Sequence, residues 1–168
     1  AFHSSSDGVT ANSGDVWVRD LPYLASVASP ESGDTVPNYY SVNTFTAEEF
    51  QQKFTAAHAE AQFGEDAAGW VKDITRNDSG RVETVNIGGV TVEGTEVRTI
   101  FGLRSASFTV ETAADTVTFR VTGYGHGVGM SQYGANTLAG QGKTWQEILH
   151  WYYTDVSIDA WTPQDYTK

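Results

Sequence analysis

The stretch GYGHGVGMSQYGA, residues 123–135, places four glycines at alternate positions 123, 125, 127 and 129 around a single imidazole, His126. Met130, Ser131, Gln132 and Tyr133 follow directly. Glycine in an extended segment costs backbone entropy, so such a run marks a close approach by a ligand or by another backbone. The common phosphate-binding loops do not fit. A dinucleotide fingerprint needs a third glycine where Val128 or Met130 stands, and no Gly-Lys-Ser/Thr of a P-loop is present. Two readings remain for the histidine: a ligand-facing donor in a glycine-walled groove, or a structural ring in a tight strand-to-helix turn.

Other residues with usable chemistry lie near the start of the chain. Ser4, Ser5, Ser6 and Thr10 form a hydroxyl-rich segment that can line a groove or solvate a loop. Trp17 is a stacking platform or a core anchor. Asp15, Asp20 and Glu31 are carboxylates available for acid–base work. Ser131 can bind a ligand or cap a helix, and Tyr133 can stack on a ligand or fill core.

Composition narrows the ligand. The 168 residues carry 10 Lys+Arg against 21 Asp+Glu, a formal net charge of -11. Such a surface disfavours nucleic acid and anionic lipid, and it suits an uncharged ligand rich in amides and hydroxyls. Cysteine is absent, which excludes disulfides, a catalytic thiol and thiolate zinc sites. The four histidines show no helical ligand spacing, so no metal or other cofactor is expected. No stretch reaches the ~20 apolar residues of a membrane span.

The elements that must position these residues read as one α+β domain over residues 1–168. Residues 1–44 are rich in Ser, Gly, Asp and Pro and predict ordered loops, with LPYLASV (21–27) as their apolar anchor. Thr46 and Glu49 form a capping box for a helix reaching about Ala61, with Phe50 and Phe54 on one face. Residues 70–75 and 81–87 alternate as strands around the turn 77–80, and Gly88-Gly89 turns into 90–92. Thr95 predicts a helix cap, Gly102 a stop, and 107–112 and 116–122 two further strands. Ser131 caps a helix through Leu138, and Thr144 with Glu147 caps another.

Taken together, GHGVGMSQYGA followed by W-x-x-I-L-x-x-Y-Y resembles the stage II sporulation protein D family, which includes peptidoglycan lytic transglycosylases and amidase enhancers. HSSSDGVTANSGDVW with LPYLASV-x-SPE, and SGRVETVNIGG with GTEVRTIFGLRS-x-SF, extend the resemblance from Phe2 to Ile158.

The resemblance implies a bacterial protein of the cell envelope or its exterior. It would act on peptidoglycan glycan strands, cleaving the MurNAc–GlcNAc bond to a 1,6-anhydro product, or support a cell-wall amidase without catalysis. The family's catalytic glutamate lies upstream of the segment matched here, and no residue of this sequence corresponds to it. The abrupt Ala1-Phe2 start reads as an internal point of a longer protein, whose upstream part would pack on this one.

The resemblance further implies a sugar cleft. Gly125, His126, Gly127, Val128, Gly129, Ser131, Gln132 and Tyr133 are expected on one wall, with the 4–10 segment facing it. On that view Gly127→Val would block the ligand and leave the fold intact.

Overall fold

The computed structural model describes residues 1–160. Its fold is α+β. The strands are β1 (Phe2–His3), β2 (Tyr40–Thr46), β3 (Val71–Lys72), β4 (Thr84–Ile87), β5 (Val90–Glu93), β6 (Phe108–Thr112), β7 (Thr116–Thr122) and β8 (Met130–Ser131). The helices are α1 (Ala47–Ala57), α2 (Gly94–Phe101), α3 (Gln132–Gly140) and α4 (Trp145–Tyr152).

Two antiparallel sheets carry the main core. In one the order is β2-β7-β6, with Phe45 opposite Val117 and Phe108 opposite Val121. The other is β3-β4-β5. Helices α1 and α2 cover them with Phe50, Phe54, Val97 and Phe101, all buried against Val117, Phe119 and Val121. Phe50 stacks on Phe101 with ring centroids 4.6 Å apart. Each such side chain contributes roughly 1.5–3 kcal/mol when fully buried.

The capping boxes at Thr46/Glu49 and Thr144/Glu147 form as read, both hydrogen bonds present in each. Helix α1 ends at Ala57, short of Ala61, and His58 hydrogen-bonds back to Phe54. Helix α2 starts at Gly94 behind Glu93, not at Thr95, because the Gly94 N–H is held by the Glu83 carbonyl and its Cα packs on Val82. Gly102 stops it at φ 65°.

A second, smaller body forms around the glycine segment. β1 pairs in parallel with β8, Phe2 with Met130 and His3 with Ser131. Leu24 from the anchor packs with Ala11 and Val128, and Leu138, Ile148 and Tyr152 close the space under α3 and α4. At its edge Phe2 is exposed while the adjacent His3 is buried.

Candidate functional site

All four motif glycines adopt positive φ: 75° at Gly123, 122° at Gly125, 84° at Gly127 and 75° at Gly129. What approaches them is the protein itself. A Cβ on Gly123 would strike the Ser6 carbonyl at 2.6 Å, on Gly125 the His3 Cβ at 2.7 Å, and on Gly127 the Arg81 guanidinium at 2.8 Å. On Gly129 it would strike the Ala1 carbonyl. Gly123, Gly125 and Gly129 are therefore seats for the N-terminal segment and Gly127 is a seat for Arg81, and at φ 84° Gly127→Val would disturb the fold rather than spare it.

This corrects the expected two-walled groove. The 4–10 segment lies against the glycine segment and is bonded to it backbone to backbone. Ser5 and Tyr124 exchange backbone hydrogen bonds, Tyr133 N–H donates to the Ser4 carbonyl at 3.1 Å, and Ala11 N–H donates to the Gly127 carbonyl at 2.8 Å. Ser5, Ser6, Thr10, Gly127, Val128, Gly129 and Ser131 are buried. Thr10 Oγ1 is occupied by the Val27 N–H. Ser4 and Tyr133 are half-buried and Gln132 is exposed.

Beneath the segment lies a charged hub. Glu31 Oε1 accepts from the Ser6 N–H at 2.6 Å and from Ser131 Oγ at 2.5 Å, and Oε2 accepts from Ser29 Oγ at 2.5 Å. Ser29 Oγ also meets the Tyr152 hydroxyl at 2.6 Å. Burial alone would push the Glu31 pKa up; the donors from Ser131, Ser29 and Ser6 outweigh it and hold the carboxyl below its usual range. Ser131 caps α3 through the Gly134 N–H as well. Glu31 is thus an ionised tie between four segments, buried and bonded on both carboxylate oxygens, which makes it a structural anchor.

The open site lies on the other side of His126. A cleft of about 470 Å³ runs between the loop 14–18 and the ends of the β4-β5 hairpin. Trp17, Asp15, Asn77, Glu83, Glu93 and Thr95 are among its lining residues. A smaller cavity of about 20 Å³ adjoins it, shares Asp15, Val16, Asn77, Val82 and Thr95, and reaches Gly125 and His126.

The loop is held in place by its own polar groups. Trp17 N–H donates to the Ser13 carbonyl at 2.8 Å, Ser13 Oγ accepts from the Leu21 N–H at 2.7 Å, and Asn12 Oδ1 accepts from the Ser26 N–H at 2.8 Å. Trp17 stays 38% exposed, its ring 5.4 Å from that of His126.

His126 is fixed as a donor. Its Nδ1 accepts from the Val128 N–H at 3.1 Å, so the neutral ring carries its proton on Nε2. Burial holds its pKa below the ordinary histidine range against the pull of the Phe2 carbonyl, and Arg98 and Arg81 add to the lowering. On its other side His3 lies ring to ring at 5.7 Å.

Of the carboxylates read from the sequence, Asp15 reaches this cleft, Asp20 lies on a separate depression with Asn12 and Pro22, and Glu31 is enclosed. Asn77, Thr95, Arg81 and Arg98 escaped the sequence reading. The turn 77–80 gave only a turn signal, and the one hint of Arg81 was a cation inside a hairpin of an acidic chain. Among the described residues no group of three His, Asp or Glu side chains is arranged to hold a metal ion.

No protein-family profile matches the chain. Stage II sporulation protein D of Bacillus subtilis (strain 168) is 42% identical over 159 residues, 94% of this chain. The protein of the same name from Bacillus amyloliquefaciens is 40% identical over 158 residues, also 94% of the chain. The chain is a homologue of stage II sporulation protein D. The similarity takes in the loop 14–18, the hairpin and the glycine segment together, so the cleft lies wholly within the shared region. The amidase enhancer of Bacillus subtilis (strain 168) is a more distant relative, 26% identical over 208 residues and 96% of this chain. The chain spans 44% of the length of the two sporulation proteins and 30% of the amidase enhancer.

Proposed function

We propose that this chain is the glycan-holding part of a peptidoglycan lytic transglycosylase domain, acting in the bacterial cell envelope, with the Trp17–His126 cleft as its saccharide site. One observation carries the reading: a partly exposed indole, on a loop held by hydrogen bonds, lines a cleft together with amide, hydroxyl and carboxylate groups. Indole faces stack on pyranose rings, and the surrounding groups match the hydroxyls and acetamides of an uncharged sugar chain. Homology to stage II sporulation protein D supports the choice of wall glycan over other saccharides.

The reaction needs little from the protein. The C6 hydroxyl oxygen of the muramoyl unit attacks its own anomeric carbon, the bond from that carbon to the leaving oxygen breaks, and a proton passes from O6 to the leaving oxygen. One acid/base group suffices because the nucleophile belongs to the substrate, unlike the two carboxylates of a retaining hydrolase. The resemblance assigns that role to a glutamate without a counterpart among these 168 residues, so the chain alone binds without cleaving. The neutral His126, with its proton on Nε2, then orients the sugar and supports Trp17.

The test is paired. Calorimetry with chitotetraose measures binding, and chromatography of digested peptidoglycan measures release of 1,6-anhydromuropeptides. The reading expects binding without release; release at a rate near that of complete transglycosylases would assign the acid to this chain, with Asp15 first in line. The relation to the amidase enhancer favours a second reading, in which the same cleft docks on glycan while a cell-wall amidase acts. Faster amidase digestion in the presence of the chain, with no anhydro products from a version extended upstream, would select it.

A further inference from the structure

The two edges of the β2-β7-β6 sheet are finished differently. On the β6 side the Thr122 N–H donates to the Ser107 carbonyl, so Phe108 turns its backbone outward, and Arg76 Nη2 caps the Phe108 carbonyl at 2.8 Å. On the β2 side the register runs without a bulge from Tyr40 opposite Thr122 to Thr46 opposite Thr116. The Gly123 N–H donates to the Tyr39 carbonyl at 2.9 Å, and the Ala47 N–H to the Asp115 carbonyl at 2.7 Å. Bonded pairs recur at every second residue of an antiparallel ladder. Ser41, Asn43 and Phe45 therefore face β7, and Tyr40, Val42 and Thr44 turn their N–H and C=O groups outward. Those outward groups have no hydrogen-bond partner among the described residues. The next outward N–H, that of Thr46, is closed by Glu49 Oε2 at 3.0 Å.

An open strand edge is a template for another strand, and native proteins blunt it with charge, proline or a bulge. Tyr40–Thr46 carries none of these. Tyr40 and Val42 stand 68% and 57% exposed, and the Tyr40 ring is held edge-on to Tyr39 at 5.0 Å. Charge then selects the occupant. Glu48 and Glu49 are exposed just past the end of the strand, and the Asp115 loop is tied to the same end through Ala47. Arg120, beside Val42 on β7, is neutralised by two hydrogen bonds to Glu111. Lys53 lies over the Phe45 ring, on the sheet's other face. A second copy of the chain would bring the same net charge of -11 to the edge, which disfavours it; a cationic segment is attracted.

We propose that the outward edge of β2 is a docking site for an extended, cationic segment of another polypeptide, which adds to the sheet as a fourth strand beside Tyr40–Thr44. The backbone ladder supplies affinity, and alternate β-branched or aromatic side chains of the segment meet Tyr40 and Val42 on the sheet's exposed face. Basic residues at its ends meet Glu48, Glu49 and Asp115. The assignment is independent of the saccharide reading.

The probe is a capped peptide of residues 40–46 with two lysines added at each end, titrated into the 168-residue chain and followed by amide NMR. Its control carries glutamates in place of the lysines. The lysine peptide is expected to shift the Tyr40, Val42 and Thr44 amides and protect them from exchange, and to bind at least about tenfold tighter than the control at low ionic strength. Thr44→Pro, which removes an outward N–H that bonds to nothing in the fold, is expected to abolish binding with Tm nearly unchanged. Should that variant fail to fold, the amide map of the wild type decides alone. No binding of the lysine peptide, or binding that leaves the three amides unmoved, overturns the site. Equal binding of the control overturns the cationic assignment, and self-association through the same amides without peptide gives the edge to a second copy instead.

Discussion

Burial takes the His3 imidazole down to about 4, against a favourable contact with the Val128 carbonyl. Its Nδ1 lies 3.3 Å from that carbonyl, and its Nε2 is buried without a partner. The folded pKa lies below the unfolded value of 6.5, so the unfolded chain binds more protons between the two. Stability therefore falls as pH drops from 6.5 to about 4, by about 3 kcal/mol over the window, and is flat in this term below it. His126, lowered in the same sense, adds to the slope. Glu31 acts later: its folded pKa is depressed, so its contribution is complete above the ordinary carboxylate range and is lost only as pH falls through the lower folded value. His3→Gln is expected to flatten the dependence of Tm on pH between 7 and 5, measured by thermal melts; an unchanged slope would move the titration elsewhere. At the same scale, Trp17→Ala should weaken chitotetraose by at least about tenfold with Tm nearly unchanged, since the ring is partly exposed and its loss leaves few buried contacts unfilled.

Helix α3 depends on Gly134 for a reason outside the helix. A Cβ there would collide with the Tyr152 hydroxyl, Ser29 Oγ and a Glu31 carboxylate oxygen. Gly134→Ala, ordinarily favourable inside a helix by about 1 kcal/mol, should here destabilise by several kcal/mol in denaturant titrations. Ser131→Ala should cost about 1–3 kcal/mol, because it removes both the α3 cap and one donor to Glu31. Local signals such as the Thr46 and Thr144 capping boxes, the Gly88-Gly89 turn and the Gly102 stop were legible because each is encoded within four residues. The destination of the glycine segment was not, since pairing of β1 with β8 joins residues more than 120 apart. Glycine at 123–129 announced a close approach correctly, and the partners are the chain's own first residues and, at Gly127, the Arg81 guanidinium. For the same reason the cleft was half-read: Trp17 and His126 were named, while Asn77, Arg81 and Thr95 come to them only through the tertiary packing of the hairpin.

Across the whole molecule, a firm aromatic core under two sheets supports a second body whose polar interior is organised by Glu31 and Arg81, and the cleft opens where the two meet. The net charge of -11 and the absence of a metal-ligating group among the described residues both suit a neutral glycan held by stacking and hydrogen bonds. On the proposed transglycosylase reading, in which the acid/base is not among these residues, 1,6-anhydromuropeptide release by this chain is expected to be ~10²–10⁴-fold slower than by a version extended upstream that supplies it. The central claim is the location of the sugar site, and amide and indole NMR shifts on adding chitotetraose test it most directly. The account predicts that the largest changes fall on Trp17, Asn77, Thr95 and His126, with Ser4, Ser5, Ser6 and Gln132 little moved. Changes concentrated on residues 4–10 and 131–133, with Trp17 silent, would contradict it.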